Sequence, residues 1–528
     1  MIKKIMRIIN YLKLKLENNI SSQESIKQDL IPQNQKEMKK QLQDIFSECS
    51  DFNLREITLG KKEKAKILIA SIDGLIDKDI VNRDVLKPLM NSNVEVDKPD
   101  RELFDIIKED ILAINEITEV KNLEKCINYI LSGDTLIYID GKRIALKVGT
   151  RGWEARGVDE PDTESVVRGP REGFTETLRT NTSLLRRKIK NSNLKFETMT
   201  IGRQTNTDIC ICYIKGLIHG DIVKTLKRRL KKINADSILE SGYIEEFIED
   251  APLSIFPTVA NSEKPDVVAG KVLEGRAAVF CEGTPFVLTV PHLFIESLLS
   301  AEDYYRRPFF STLIRFLRVL ALITTTLLPA LYVAFVAFHQ DVIPLKLLLT
   351  IAASREGIPF TVFTETLLMG ISYELLREAG IRMPRPIGQA VSIVGALVLG
   401  QAAVEAGIAS NPVVMLTALT AISSFIIPPL DGTIPIIRLL MVFAANYLGL
   451  IGISLIIVFL ILHMASLRSF GIPYLAPFSP LNGMDLKDTF IRVPLWSMWF
   501  RPRSLLVDHV DKVKKGYRMK KDVKTKED

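Results

Sequence analysis

Two carboxylates, Glu365 and Glu374, stand in a run otherwise apolar enough to enter a bilayer. The stretch is REGIPFTVFTETLLMGISYELLREAG, residues 355–380, with no Lys or Arg between Ile358 and Leu376. An ionised carboxyl in hydrocarbon is costly unless it faces water or a partner. At about 100° per residue, Thr361, Glu365, Leu368 and Ser372 fall on one helical stripe, and Glu374 lies half a turn from Glu365, near Arg377 and Glu378. Two chemistries fit this pattern. In one, the stripe lines a water-filled wall, since rings of carboxylates attract cations. In the other, Glu365 is protonated or hydrogen-bonded inside a packed bundle. Two further charges lie in apolar surroundings. Glu405 reads as interfacial, near the end of a span. Arg438 either snorkels or pairs with Asp431, seven residues earlier.

No enzyme chemistry is legible. The chain has five His, no H-E-x-x-H, no G-x-S-x-G, no phosphate-cradling Gly loop with its Lys, and no convincing carboxylate dyad in its polar half. The expectation is a non-enzyme without cofactor, catalytic group or bound metal, and without a nucleic-acid partner. The five cysteines, Cys49, Cys126, Cys210, Cys212 and Cys281, include no C-x-x-C pair. Cys210 and Cys212, two apart in ICICYI, share one face of a strand and read as packed core thiols.

The net charge of +7 over 528 residues averages two unlike halves. Charge concentrates before Tyr305 and after Arg468, and Leu, Ile, Val, Ala and Gly dominate between. This predicts a soluble region followed by a membrane region. The basic N-terminus lacks the unbroken apolar core of a secretion signal, so the first region is expected to stay cytoplasmic. Residues 1–51 read as a polar arm and linker.

The soluble half is internally duplicated. ILIASIDGLIDKDIV at residue 67 matches ICICYIKGLIHGDIV at residue 209, aligning Gly74 with Gly216. The same displacement aligns Gly60 with Gly202, Gly133 with Gly275, Gly141 with Gly283 and Val148 with Val290. Two related α/β subdomains are expected at 52–148 and 194–300, the repeat itself ending at 290. Each begins with a strand pair, continues through helices, and closes with a hairpin turning at Asp140-Gly141 or Glu282-Gly283. The connector, 149–193, carries Arg168, Arg171, Glu172, Glu176 and Arg179 as candidate coupling or assembly residues. Its helix is expected from about Glu172, with Glu176 and Arg179 paired on the surface.

Residues 301–468 hold the apolar runs: 319–338, 343–353, the opening stretch, a run from Gly388, one from Pro412, and 434–467. The last is too long for one untilted crossing at about 20 residues per span, so it is a tilted helix, a broken one, or two arms turning near Gly449 and Gly452. Arg306, Arg307, Arg315 and Arg318 before the first span put the preceding domain inside, and the basic tail, 469–528, puts the C-terminus there too. Both ends inside requires an even number of crossings, four to six. The fold class is multi-domain: a duplicated mixed α/β cytoplasmic domain, then an all-α polytopic membrane domain.

Several long segments, RGPREGFTETLRTNTSLLRRKI, EGTPFVLTVPHLFIESLLSAEDYYRRP, the opening stretch through VEAGI, and HMASLRSFGIPYLAPFSP, resemble the A subunit of GerA-type spore germination receptors, from about Phe52 to Pro480. The resemblance implies a protein of the spore inner membrane with its large N-terminal domain facing the core. It implies a transporter-like B subunit that senses the nutrient and a lipoprotein C subunit as partners. It also implies homo-oligomerisation, as a pentamer, into a ligand-gated channel for monovalent cations. A non-conducting scaffold that relays a signal and a secondary transporter are the alternatives. Transporter folds, however, usually repeat within the membrane, and here the visible repeat is in the soluble half.

Overall fold

The computed structural model describes residues 30–59, 65–91, 103–153, 164, 166–382, 398–483, 485–498, 501, 502 and 505. Its first half is built on two five-stranded sheets. The first comprises β1 (Phe52–Leu59), β2 (Ala65–Ile72), β3 (Ile117–Val120), β4 (Thr135–Ile139) and β5 (Ala145–Val148), in the spatial order β1-β2-β4-β5-β3. The second comprises β6 (Leu194–Ile201), β7 (Thr207–Ile214), β8 (Ala260–Ser262), β9 (Ala277–Cys281) and β10 (Val287–Val290), in the order β6-β7-β9-β10-β8. The register repeats as well as the order. Phe52 faces Ile72 and Leu194 faces Ile214, while Ile67 faces Ile139 and Ile209 faces Cys281.

Hairpins join β4 to β5 and β9 to β10, with Gly141 and Gly283 both at φ +88°. Gly74 and Gly216, at +85° and +83°, likewise need the left-handed backbone that only Gly adopts without cost. The edge strands β3 and β8 have no signal in the sequence. They are four and three residues long and gain their order from pairing with β5 and β10.

The tract expected to be a linker instead forms a helix, α1 (Gln35–Ile45), capped by the Asn34 side chain. Met38 and Leu42, one turn apart, are fully buried against the first sheet together with Ile31 and Phe46. Two apolar positions at helical spacing suffice to dock an otherwise polar helix. α2 (Leu123–Ile130) sends Leu123, Cys126 and Ile130 into the same core. Cys210 and Cys212 are buried in the core with Phe196 and Phe280, and burial pushes both thiols up.

A buried ion pair joins the two α/β units. Asp51, just before β1, accepts both Arg186 Nε (2.9 Å) and Nη2 (2.8 Å). Arg186 belongs to the connector helix α3 (Leu178–Lys188) and is 0% exposed. Its Nη1 also donates to the Leu194 carbonyl, and its guanidinium lies 4.8 Å from the centre of the Phe196 ring.

The second unit adds α4 (Gly220–Lys232), α5 (Ser241–Ile248) and α6 (Pro265–Leu273). The second half of the chain is helical: α7 (Pro308–Ala337), α8 (Leu345–Ser354), α9 (Val362–Arg382), α10 (Asn411–Ser424) and α11 (Thr433–Ser466). Among the described residues, α7 and α11 are long and apolar enough to cross a membrane. The opening stretch is one unbroken helix of 21 residues from Val362.

α11 is a hairpin. Gly449, at φ +58° and ψ −138°, interrupts the helical backbone in a region open in practice only to Gly. Both ends of α11 meet the same loop of the second α/β unit: Thr433 donates to the Ile255 carbonyl, and His463 Nε2 lies 2.9 Å from Ser254 Oγ. The turn meets the far end of α7, and a Cβ on Gly449 would sit 3.2 Å from Phe338 and His339. At Gly452 a Cβ would collide with the Ala444 carbonyl, so the arms abut here. Each arm, 433–448 and 450–466, is about 24 Å long at 1.5 Å per residue.

These contacts give the helical region a near end, at the α/β units, and a far end. α7 leaves the near end. α9 starts at the far end, where Phe363 packs on Phe443, and returns to Asp431 at the near end. α10 runs beside it, with Thr325 of α7 donating to the Thr420 carbonyl.

Residues 469–483 and 485–498, expected to belong to a basic tail, fold back onto the near end. Tyr474 is fully buried among Phe256, His292 and Phe294. Asp488 accepts Arg315 Nη1 at 2.9 Å and the Tyr304 hydroxyl at 2.6 Å. Arg315 and Arg318, read as flanking cations of the first span, both hold Asp303 here. The expectation read their charge correctly but had no access to these carboxylate partners, distant in sequence.

Candidate functional site

The acidic residues of the opening stretch have different surroundings. Glu365, in the first turn of α9, is 0% exposed. Its Oε1 accepts Arg355 Nε at 3.0 Å, and its Oε2 accepts the Ser410 amide at 3.0 Å and hydroxyl at 2.8 Å. One carboxylate thus fastens three segments at the far end: the loop after α8, the start of α9 and the start of α10. The other stripe residues face elsewhere. Thr361 is exposed and caps α9, its Oγ1 accepting the Thr364 amide. Leu368 is 39% exposed, and Ser372 is half-buried.

At the near end the charges form a chain across two helices. Arg438 of α11 donates to Glu374 of α9, and Glu374 also holds Arg377 Nη2 at 2.9 Å. Arg377 in turn donates to Asp431. The partner considered for Arg438, Asp431, therefore belongs to Arg377. The guanidinium of Arg438 is 5.8 Å from the centre of the Tyr373 ring. Glu405 is exposed and accepts Gln401 Nε2 at 3.0 Å, one helical turn away.

This chain of charges borders a cavity of about 480 Å³ between α7, α9, α10 and α11. Pro329, Leu367, Ile371, Leu439 and Val442 supply apolar wall, and Thr366, Thr417 and Thr420 place hydroxyls among them. The size is that of a small-molecule pocket. Helices held by a side-chain ion chain around such a space can change their spacing without breaking backbone hydrogen bonds.

The connector residues divide differently from the expectation. The helix starts at Leu178, not near Glu172, because Thr175 and Asn181 hold the preceding turn through Asn181 Oδ1. Arg179 pairs with Asp73 of the first unit (3.4 Å) rather than with Glu176, whose carbonyl accepts the Gly283 amide. Glu172 holds Arg187 and Lys188, and the Arg168 amide donates to Glu302, just before α7. The connector thus touches both α/β units and the base of the first long helix. Arg171 lies between Arg168 and Glu172 in the same segment.

Between the second unit and the helices lies a buried cluster. Burial works to raise the Glu296 carboxyl, but Arg276, His292 and Lys271 hold it down to about 2. Arg276 Nη2 donates to Glu296 Oε1 at 2.7 Å. On α5 the balance reverses. Burial, then the charge of Glu249, pushes Glu245 up to about 7. The native state thus holds a proton that the unfolded chain releases near 4.5. The stability this proton confers is complete below 4.5 and is lost as pH rises through 7. Glu245→Gln is expected to raise stability by about 2 kcal/mol at pH 8 and to leave it unchanged at pH 4, read from thermal melts at both pH values.

Sequence reasoning found Glu365, Glu374 and Arg438 and placed Glu374 near Arg377, but missed Arg355 and Ser410 as the partners of Glu365 and Glu374 as the partner of Arg438. Arg355 and Arg377 flank the apolar run, and an Arg flanking an apolar run that contains an acid is the signal that was available.

Residues 40–504 match the family described as Bacillus/Clostridium GerA spore germination protein. The chain is 45% identical over 469 residues to spore germination protein KA of Bacillus subtilis (strain 168), covering 88% of this chain and 85% of that protein. It is 42% identical to the uncharacterized membrane protein YfkQ of the same organism, covering 89% and 91%. To spore germination protein GerLA of Bacillus cereus it is 39% identical, covering 89% and 95%. Among solved structures it resembles the N-terminal domain of the A subunit of the Bacillus megaterium spore germinant receptor GerK3. That match has 35% identity and a TM-score of 0.41, covering 50% of this chain and 98% of that one. The match from residue 40 to 504 and this level of identity over nearly the whole length make the chain a member of the GerA family, of the A-subunit type.

Proposed function

We propose that the chain is the A subunit of a nutrient germinant receptor in the spore inner membrane, and that its copies assemble into a cation channel that opens when nutrient is sensed. Membership of the GerA family, with spore germination proteins at 45% and 39% identity, is the observation that carries the first part. For the second, the support is physical. α9, α10 and both arms of α11 run between a near and a far end, and large apolar residues such as Leu419, Tyr447, Val458 and Phe459 point outward. Lipid or neighbouring copies cover such a surface. The proposed topology has an even number of crossings, six, of which the described residues supply five: α7, α9, α10 and the two arms of α11. Both termini then face the core, with Arg377 and Arg382 on that side as the positive-inside rule favours. A transporter-like B subunit and a lipoprotein C subunit complete the receptor, and a pentamer is the proposed ring.

The outward residues of the α9 stripe, Thr361, Leu368 and Ser372, are the proposed pore wall. Glu365 stands behind them, fixing the first turn of α9 to Arg355 and Ser410. Thr361→Cys, Leu368→Cys and Ser372→Cys spores, treated with a small cationic thiol reagent, are expected to lose at least half of nutrient-triggered potassium efflux. Four of the native cysteines are buried, and a Cys49→Ser background removes the fifth. Efflux unchanged at all three positions at normal protein abundance would move the pore to another helix. Absence of potassium release from any spore lacking other receptors would favour the non-conducting scaffold.

A further inference from the structure

The second α/β unit carries apolar side chains beside the helical region that none of the described residues covers. Leu239 is 62% exposed, Tyr243 44%, Phe247 52% and Leu253 101%. Tyr243 and Phe247 lie one turn apart on the outer side of α5, while Ile244 and Ile248 fill the core behind. Single exposed apolar residues are ordinary, but four large ones within fifteen residues form a surface that calls for a partner.

Their height identifies that partner. Ser254 touches His463 in the last turn of α11, Ile255 accepts from Thr433 at its first residue, and the Phe470 amide donates to Asp250. Leu253, between Asp250 and Ser254, is therefore level with the near ends of both arms. Arg229 ties α4 to the same level: it donates to the Ile248 carbonyl and Asp250 and lies 4.6 Å from the centre of the Phe470 ring. Along the outer side of α4, Lys224, Arg228, Lys231 and Lys232 are exposed.

We propose that this face rests on the bilayer surface, with Leu253 and Phe247 below the headgroups, Tyr243 among them and the α4 cations over anionic lipid. Aromatic rings with one wet edge favour that depth, and cations near an anionic leaflet add attraction. Glu246 is exposed on the same helix, so the apolar seat leads and the cations assist. The α/β region is then a platform held flat against the membrane rather than a body swinging on a tether. The inference rests on the membrane reading above, and the test separates the two.

Full-length chain with Cys49→Ser, reconstituted in phosphatidylglycerol–phosphatidylethanolamine vesicles, would carry one environment-sensitive fluorophore at Leu253→Cys or Phe247→Cys. The remaining native thiols are buried. Reference labels sit at Leu419→Cys and Val458→Cys on the helices and at Met90→Cys on the first unit. Brominated lipid is expected to quench the Leu253 and Phe247 labels at least twofold more than the Met90 label, and aqueous iodide the reverse. If iodide quenches them like Met90 while lipid quenches Leu419 or Val458, the platform is overturned and the membrane reading stands. Shielding from both quenchers would assign the face to a protein contact and also overturns it. Lipid quenching at none of the positions, helices included, removes the membrane reading and this inference together.

Discussion

Arg186→Leu is expected to destabilise the α/β region by about 3–5 kcal/mol, because it strands the Asp51 carboxylate in a site that is 2% exposed. The pair is bidentate, and Arg186 also satisfies the Leu194 carbonyl at the start of β6. Losing it therefore removes hydrogen bonds from both units at once. Trp153 offers a local reporter, since its ring lies 5.3 Å from the guanidinium of the neighbouring Arg187. A thermal melt of purified protein, followed by tryptophan fluorescence, would show an early transition in the variant. The double variant Asp51→Asn, Arg186→Leu should recover a large part of the loss, since removing both charges avoids the uncompensated one. Equal melts for wild type and Arg186→Leu would mean that water reaches Asp51.

Glu374→Gln is expected to slow nutrient-triggered potassium release at least tenfold with protein abundance retained. The substitution deprives Arg438, 9% exposed, of its one carboxylate partner among the described residues. It also loosens Arg377, which bridges to Asp431. At the near end α9 and α11 are then joined through Arg377 to Asp431, through the Tyr373 ring beside Arg438, and through apolar contact around the 480 Å³ cavity. The exchange Glu374→Arg with Arg438→Glu places the same charges in swapped positions and should restore part of the rate. Efflux at the wild-type rate in the single variant would confine this chain of charges to a packing role.

How much of this was legible depends on the range of the interaction. The glycines of the duplication were readable because those among the described residues occupy left-handed turns that no other residue fits well, so Gly141 and Gly283 mark the same hairpin, while Gly60 lies outside the described residues. The apolar runs were readable because composition alone marks them. The possible break near Gly449 and Gly452 followed from length, but only the contacts of Thr433 and His463 with one loop turn it into a hairpin. The wheel placed Thr361, Glu365, Leu368 and Ser372 together, yet a wheel says nothing of which side meets a neighbour. Ser410, 45 residues away, decides the orientation of Glu365. Likewise the docking of residues 469–483 and 485–498 depends on pairs such as Asp488 with Arg315, separated by 173 positions, which local pattern cannot reveal.

The hairpin of α11 also bears on how the chain is made. In the proposed topology its 34 residues enter the bilayer with both ends held on the side of synthesis. Only the apolar bend at Gly449 travels to the opposite face, and no hydrophilic loop has to be carried across. Insertion of this element can therefore proceed as a pre-folded loop once His463 has left the ribosome, with the α/β loop at Ser254 already present to receive its two ends.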